Sequence, residues 1–223
     1  MTRPYDLITF DCYGTLIDWD RGLGDWFVEA AAADGVKILR AQAVAAYAEL
    51  EPVVEAEAYR RYRDVLAETA RRAAKILGWP LTDERAASLA GALPFWLPFA
   101  DTNPALTRLA AAGYRLGILS NVDEDLLAGT RRHFPVPFDL VVTAEQVRSY
   151  KPAHVHFLAA RGRIGGARWL HAAQSAFHDI APARTLKIPC AWINRKRQKP
   201  PPGVRPDAEL GNLRGLADWL GCP

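Results

Sequence analysis

A chain of 223 residues has room for one good core, or for a core with a smaller appendage. Half of it is apolar and 24% is charged, the balance of a soluble globular protein, and a formal net charge of +3 is too small to argue for nucleic acid or a membrane surface as a partner. No segment reaches the roughly 18 consecutive apolar residues of a membrane helix.

In chain order, the first strand-like run is Leu7-Ile8-Thr9-Phe10. It begins so close to Met1 that no room is left for a signal peptide, and a cytoplasmic location is expected. From about Trp19 to Trp96 the pattern changes to Ala-rich, charge-laced helix with no strand-like run. Leu50, Val53, Val54, Tyr62, Leu66 and Ile76-Leu77 mark its apolar face, and Pro52 should kink or restart a helix there. Trp19, Phe95 and Trp96 stand near the two ends of this block, as a pocket wall or as hinge packing. Asn103-Pro104 reads as the N-cap and first residue of a helix that Gly113 closes. Strand-like runs then resume at Tyr114 to Leu119, Phe138 to Val142, Trp169 to Ala173 and Ile188 to Ile193, and Pro152 reads as the opening of another helix. The basic run Arg195, Lys196, Arg197, Lys199 leads into three prolines and reads as a solvated loop. Cys12, Cys190 and Cys222 form an odd set without metal-ligand spacing, as free thiols in a reducing cytoplasm would.

Runs that are apolar on successive residues suit strands covered on both faces, and helices between them make a parallel α/β sheet the expected architecture. In such sheets ligands bind beyond the carboxyl ends of the strands. Asp11 follows the first run, Ser120 and Asn121 the second, Lys151 the third, and Asp179 lies just past the fourth, beyond Gln174 and Ser175. The pattern alone therefore brings a carboxylate, a hydroxyl–amide pair, an ammonium and a second carboxylate to one rim.

Phe10-Asp11-Cys12-Tyr13-Gly14-Thr15-Leu16 resembles the first motif of the haloacid dehalogenase (HAD) superfamily, in which an aspartate after the first strand attacks the substrate. Ile118-Leu119-Ser120-Asn121 is similar to the second motif and Tyr150-Lys151-Pro152 to the third. Ser175 to Asp179, followed by Pro182-Ala183-Arg184, is similar to the fourth. The motifs stand in the family's order across nearly the whole chain. The resemblance implies a Rossmann-like core from residues 1–16 and 98–223, with an all-helical cap inserted at 17–97. It also implies Asp11 as nucleophile, assisted by Thr15, Lys151 and Asp179, with Cys12, Tyr13, Ser120, Asn121, Ser175 and His178 at the substrate. Arg40 is nearest in position to a cap arginine that would pair with the substrate's carboxylate or halide, although Glu49 or Glu51 could equally fall there.

Within the superfamily, magnesium phosphatases carry a second Asp where Tyr13 stands and an acidic residue where Gln174 stands. The Asp-x-Tyr-Gly-Thr form resembles instead the L-2-haloacid dehalogenase branch, which implies no metal and no cofactor. The implied substrate is a short 2-halo acid and the implied assembly a homodimer. The chain departs from that branch at Ala176, His178 and Phe157, where the family has Asn, Trp and Tyr. Asp11 and Asp179 against Lys151 leave the site at −1 before an anion arrives, so an acid substrate needs further donors. A magnesium-dependent phosphatase and a catalytically idle binding protein are the alternatives.

Overall fold

The computed structural model describes residues 3–223. Strand β1 (Leu7–Phe10) is followed by four helices, α1 (Trp19–Ala33), α2 (Arg40–Glu55), α3 (Tyr62–Ile76) and α4 (Asp83–Ala92). Next come α5 (Thr102–Ala111), β2 (Arg115–Ser120), α6 (Glu124–Thr130), β3 (Leu140–Thr143), the single turn α7 (Ala144–Val147) and α8 (Val155–Ile164). The chain ends with β4 (Trp169–Ala173), α9 (Ala181–Thr185), β5 (Cys190–Ile193), β6 (Ala208–Leu210) and α10 (Leu213–Trp219).

The six strands form one parallel sheet in the order β3-β2-β1-β4-β5-β6. β1, β4 and β5 are buried at every position, as expected of strands covered on both faces. Chain order reverses beside β1, so the strand that leads into Asp11 lies at the topological switch point where parallel sheets bind ligands. On one face Leu7, Leu119, Val142, Trp169, Ala173 and Trp192 pack with Phe157 and Ala160 of α8.

The chain divides into two compact units. One comprises residues 3–17, 98–121 and 132–223 and carries the sheet; the other comprises 18–97 and 122–131 and is helical. In the helical unit α3 buries Val65, Leu66, Ala70, Ala73 and Ala74, a spacing that forms one helix face. Trp26, Phe27 and Trp79 pack ring to ring, with centroids 5.1 to 6.0 Å apart. The 122–131 segment joins this unit through Asp123, whose carboxylate accepts the Tyr62 and Arg63 amides at 2.8 and 3.2 Å and so caps α3. Phe95 and Trp96 line a cavity of about 290 Å³ with Asp18, Arg21, Asp25 and Trp26, whereas Trp19 packs edge-on against Tyr47.

Four sequence expectations change. α5 begins at Thr102 with Asp101 at its N-cap, so Asn103 lies inside the helix and its side chain bonds the His133 carbonyl instead. Pro152 belongs to a turn, and α8 starts at Val155, once Ala153 has closed that turn on Tyr150. Pro52 sits inside α2, in its last turn, so no helix restarts there. Arg195 is not a solvated-loop residue. It pairs with Asp101 at 2.9 Å, donates to the Thr15 carbonyl at 2.9 Å and stacks over Phe99, with only 12% of its side chain exposed. β6 carries no apolar run and was not expected; its Ala-Glu-Leu is an edge strand defined by pairing with β5. All three cysteines are free and buried.

Candidate active site

Asp11 leaves β1 at the switch point, and the chain turns at once: Gly14 adopts φ +91°, a left-handed conformation that side chains disfavour. A Cβ on Gly14 would also stand 3.4 Å from the Gln174 side-chain oxygen. The turn returns Thr15 beneath Asp11, and its hydroxyl donates to Asp11 Oδ2 at 2.8 Å. Thr15 Oγ1 itself accepts the Gln174 amide at 2.9 Å, which commits the hydroxyl proton to the carboxylate.

Lys151 is almost fully buried. Its Nζ donates to Asp179 Oδ1 at 2.6 Å, to the Leu119 carbonyl at 2.9 Å and to Asp11 Oδ1 at 3.0 Å. An ammonium has three protons, so all of them are committed. Asn121 locks the Lys151 main chain from both sides: its Oδ1 accepts the Lys151 amide at 2.7 Å and its Nδ2 donates to the Lys151 carbonyl at 3.0 Å. This amide therefore holds the lysine rather than facing a ligand.

Asp179 stands in a π turn, residues 176–180, with Ser175 at its N-cap accepting the His178 amide. Turns of this kind are frequent at functional sites. Ser175 Oγ lies 3.0 Å from the His178 amide and 3.1 Å from its ring Nδ1, so these two expected substrate contacts bond each other. Cys12 and Ser120 are buried, and Tyr13 is half-buried in the turn. His156 is buried with its Nε2 3.3 Å from the Ser120 carbonyl. Arg40 belongs to the helical unit, at the first residue of α2. It is half exposed, ion-paired with Asp25 and bonded to the Arg21 carbonyl.

Burial disfavours every charge here, and the pairing decides the outcome. Burial would lower Lys151, but Asp11 and Asp179 outweigh it, and the ammonium is held above its usual range. Burial would raise Asp179, but Lys151 and His171 outweigh it, and that carboxyl is held below its usual range. For Asp11, burial and the neighbouring Asp179 together outweigh Lys151 and Thr15, so its carboxyl is pushed up. Burial and Asp11 push the Cys12 thiol well up, leaving it inert.

His171 and Thr9 escaped the sequence reading. The available signal was a polar residue at the centre of each of two otherwise apolar buried strands. Thr9 pairs in register with His171, both are fully buried, and His171 Nε2 lies 3.0 Å from Asp179 Oδ1. Among the described residues no cluster of three or more His, Cys, Asp or Glu could hold a metal ion.

The sequence pattern of the haloacid dehalogenase-like hydrolases matches residues 5–177. An (S)-2-haloacid dehalogenase of Pseudomonas putida is 28% identical over 221 residues, covering 96% of this chain and 95% of that protein. The solved L-2-haloacid dehalogenase of Xanthobacter autotrophicus, with chloropropionic acid covalently bound, superposes with a TM-score of 0.83 at 18% identity, over 97% of this chain and 98% of that one. The HAD-hydrolase YfnB of Bacillus subtilis, bound to magnesium, also reaches a TM-score of 0.83, at 16% identity over 99% of this chain and 100% of that one.

Proposed function

The chain belongs to the haloacid dehalogenase-like hydrolase family, and within it we propose a metal-independent (S)-2-haloacid dehalogenase, or a close relative acting on a small carboxylic acid. The observation that carries this reading is the setting of Asp11: a buried carboxylate at the switch point, held by Lys151 and Thr15 on separate oxygens.

In the proposed reaction an Asp11 oxygen attacks C2 of the acid. The new C–O bond forms as the carbon–halogen bond breaks, and halide leaves with the electron pair. Water then attacks the Asp11 carbonyl carbon of the ester. The 2-hydroxy acid departs, Asp11 is restored as carboxylate, and one proton is released. A carboxylate nucleophile thus divides one hard displacement into two easier steps.

Lys151 keeps Asp11 ionised and fixed, and its three protons are already spent, so it does not hold the substrate. Asp179 Oδ2 is buried without a protein hydrogen-bond partner and is the acceptor for the hydrolytic water. Its lowered pKa makes it a weak base, so it orients that water rather than storing its proton. Ser120, His178 and the backbone at Cys12 and Tyr13 are assigned to the substrate, with Ser175 holding His178 in place. Metal independence is supported by the donor set: an ammonium bridges the two carboxylates at 2.6 and 3.0 Å, and Gln174 supplies an amide rather than a third carboxylate.

The test is halide release from (S)-2-chloropropionate with and without EDTA. Release insensitive to chelation is expected. Turnover of a phosphate ester that EDTA abolishes would replace this reading with the magnesium-dependent one that the Bacillus subtilis structure keeps in view.

The pairing of Arg40 with Asp25 counts against Arg40 as the substrate's cation and favours the variation in which the substrate is neutral or zwitterionic. As the group that neutralises the substrate's carboxylate, Arg40 must give up Asp25, and Arg40→Ala then raises KM while leaving kcat near its original value. An unchanged KM would point to a neutral or zwitterionic substrate for the same aspartate.

A further inference from the structure

Behind Asp179, on the sheet face covered by α8, runs a line of polar side chains that the proposed reaction leaves without a role. The Trp169 indole donates to Thr9 Oγ1 at 2.7 Å. Thr9 Oγ1 lies 2.9 Å from His171 Nδ1, and His171 Nε2 lies 3.0 Å from Asp179 Oδ1. An indole N–H can only donate, so Thr9 Oγ1 is its acceptor, and the hydroxyl's own proton has His171 Nδ1 as its acceptor. The proton of His171 then sits on Nε2, and the ring donates to Asp179. This tautomer is assigned from the bonding pattern.

A buried histidine in a strand is most often a packing residue. Here two features go beyond packing. Both ring nitrogens are engaged in one directed chain, and that chain ends on a carboxylate of the active site. Apart from the members of this line, the positions beside it on the same face are apolar, Leu7 and Ala173, and Phe157 meets the imidazole edge-on with centroids 5.2 Å apart. A side chain chosen for packing alone would be apolar like them. Gly117 packs against this line and against β3: a Cβ there would stand 3.0 Å from the Leu140 Cβ and carbonyl and 3.1 Å from the Thr9 methyl.

We propose that His171, set in its Nε2–H tautomer by Thr9 and Trp169, is a positioning residue for Asp179 and Lys151. Its catalytic consequence rests on the reading of Asp11 as nucleophile. Asp179 Oδ1 receives two donors, Lys151 at 2.6 Å and His171 at 3.0 Å, while Oδ2 receives none. Two donors converging on one oxygen hold the carboxylate against rotation and reserve the other oxygen for the hydrolytic water. They also keep Asp179 ionised, and with it the anchor of Lys151. Without His171 the carboxylate can turn, share both oxygens with Lys151 and draw the ammonium away from Asp11.

The experiment combines a spectrum with kinetics on the full chain. In the wild-type protein, long-range proton–nitrogen correlation is expected to show Nδ1 of His171 bare and Nε2 protonated. Protonated Nδ1 with bare Nε2 overturns the proposal. In halide-release assays His171→Phe should lower kcat by about ten- to a hundredfold, the loss of one buried hydrogen bond to a charged group, with KM changed by less than about threefold. Its acid limb should move to higher pH, because Asp179 loses a donor. His171→Gln should recover most of kcat and return the limb, since its amide N–H can reach the same oxygen. Wild-type kcat and pH profile in His171→Phe overturn the proposal, and so does a folded His171→Gln no better than His171→Phe.

Should His171→Phe not fold, Thr9→Val cuts the same chain one step earlier with an isosteric side chain. A loss of tautomer preference with reduced kcat is expected, and no change in either overturns the proposal. The spectrum needs no substrate. If the wild-type protein releases no halide, the dehalogenase reading fails, and the tautomer still decides whether His171 donates to Asp179.

Discussion

Two buried aspartates, Asp123 in the helical unit and Asp179 in the sheet unit, meet the same difficulty in opposite ways. Asp123 is fully buried and both its oxygens are used: Oδ1 by the Tyr62 amide, Oδ2 by the Arg63 amide and guanidinium. Asp179 is equally buried, yet two donors crowd one oxygen and the other has none. An unsatisfied polar group in a protein interior costs about 1–3 kcal/mol, and more when charged. A chain that satisfies every atom of Asp123 and leaves one oxygen of Asp179 open fits the proposal that the second is a working group and the first a cap. The contrast also separates two kinds of ion pair. Arg63 and Asp125 remain partly exposed and are screened by water, whereas Lys151 and Asp179 have about 1% of their side chains exposed.

The sharpest way to break this contrast is Asp11→Asn. Turnover should fall by about a thousandfold or more, since an amide cannot attack as a carboxylate does. The fold should persist, because Asn accepts from Lys151 through its oxygen and can donate to Thr15 through its nitrogen. Substantial activity in this variant, with deamidation excluded by mass spectrometry, would remove the nucleophile assignment and leave Asp179 without a partner in the chemistry.

Lys151→Met comes next. It leaves two buried carboxylates without their cation, and breaking such a pair costs about 3–5 kcal/mol. Denaturant unfolding at neutral pH should show a loss of that size, much of it recovered on acidification as a carboxyl protonates. A loss below about 1 kcal/mol would mean that the two carboxylates are screened by far more than one hydrolytic water and that the low-dielectric description of the site is wrong.

Asp123→Ala should cost about 1–3 kcal/mol, combining a lost helix cap with a lost buried bond. The effect should appear in unfolding and hydrogen exchange of α3, with kcat close to wild type. A kcat that falls as far as in an Asp179 variant would erase the distinction between the two aspartates.

The pH dependences are gentler and carry definite signs. Asp11 is raised by burial and by Asp179, so kcat/KM should decline in acid at a pH above the ordinary carboxylate range. His156 is pushed down to about 3 by burial and by the Lys151 charge. Unfolded, this histidine takes up a proton near pH 6.5, while folded it does not until about 3. Stability from this group is therefore complete above about pH 6.5 and falls as pH drops through that window. The melting temperature between pH 7 and 5 should show the slope, and His156→Gln should flatten it.

Much of the site was legible because its residues follow strands, and strands announce themselves as apolar runs. Asp11, Ser120, Lys151 and Asp179 could be put on one rim with no coordinates, since a parallel sheet carries all its strand ends to one edge. Helix starts were less legible. Asn103-Pro104 and Pro152 have the right residue types, but Asp101 and the turn through Ala153 set the actual boundaries. Arg195 reads as loop charge until Asp101, 94 positions away, proves to be beside it.

By itself, then, the sequence determined the parallel α/β core, the helical insertion, the family and the order of chemical groups along the rim. These depend on periodicity and on short local strings. Only the tertiary structure decided what each group is bonded to. It turned Asn121 toward the Lys151 main chain, paired Arg40 with Asp25, and set Thr9, His171 and Asp179 in one line. The physical reason is that a hydrogen bond needs its partner within about 3 Å and correctly aimed. Thr9 and His171 are 162 positions apart in the chain, and nothing but the register of β1 against β4 brings them together.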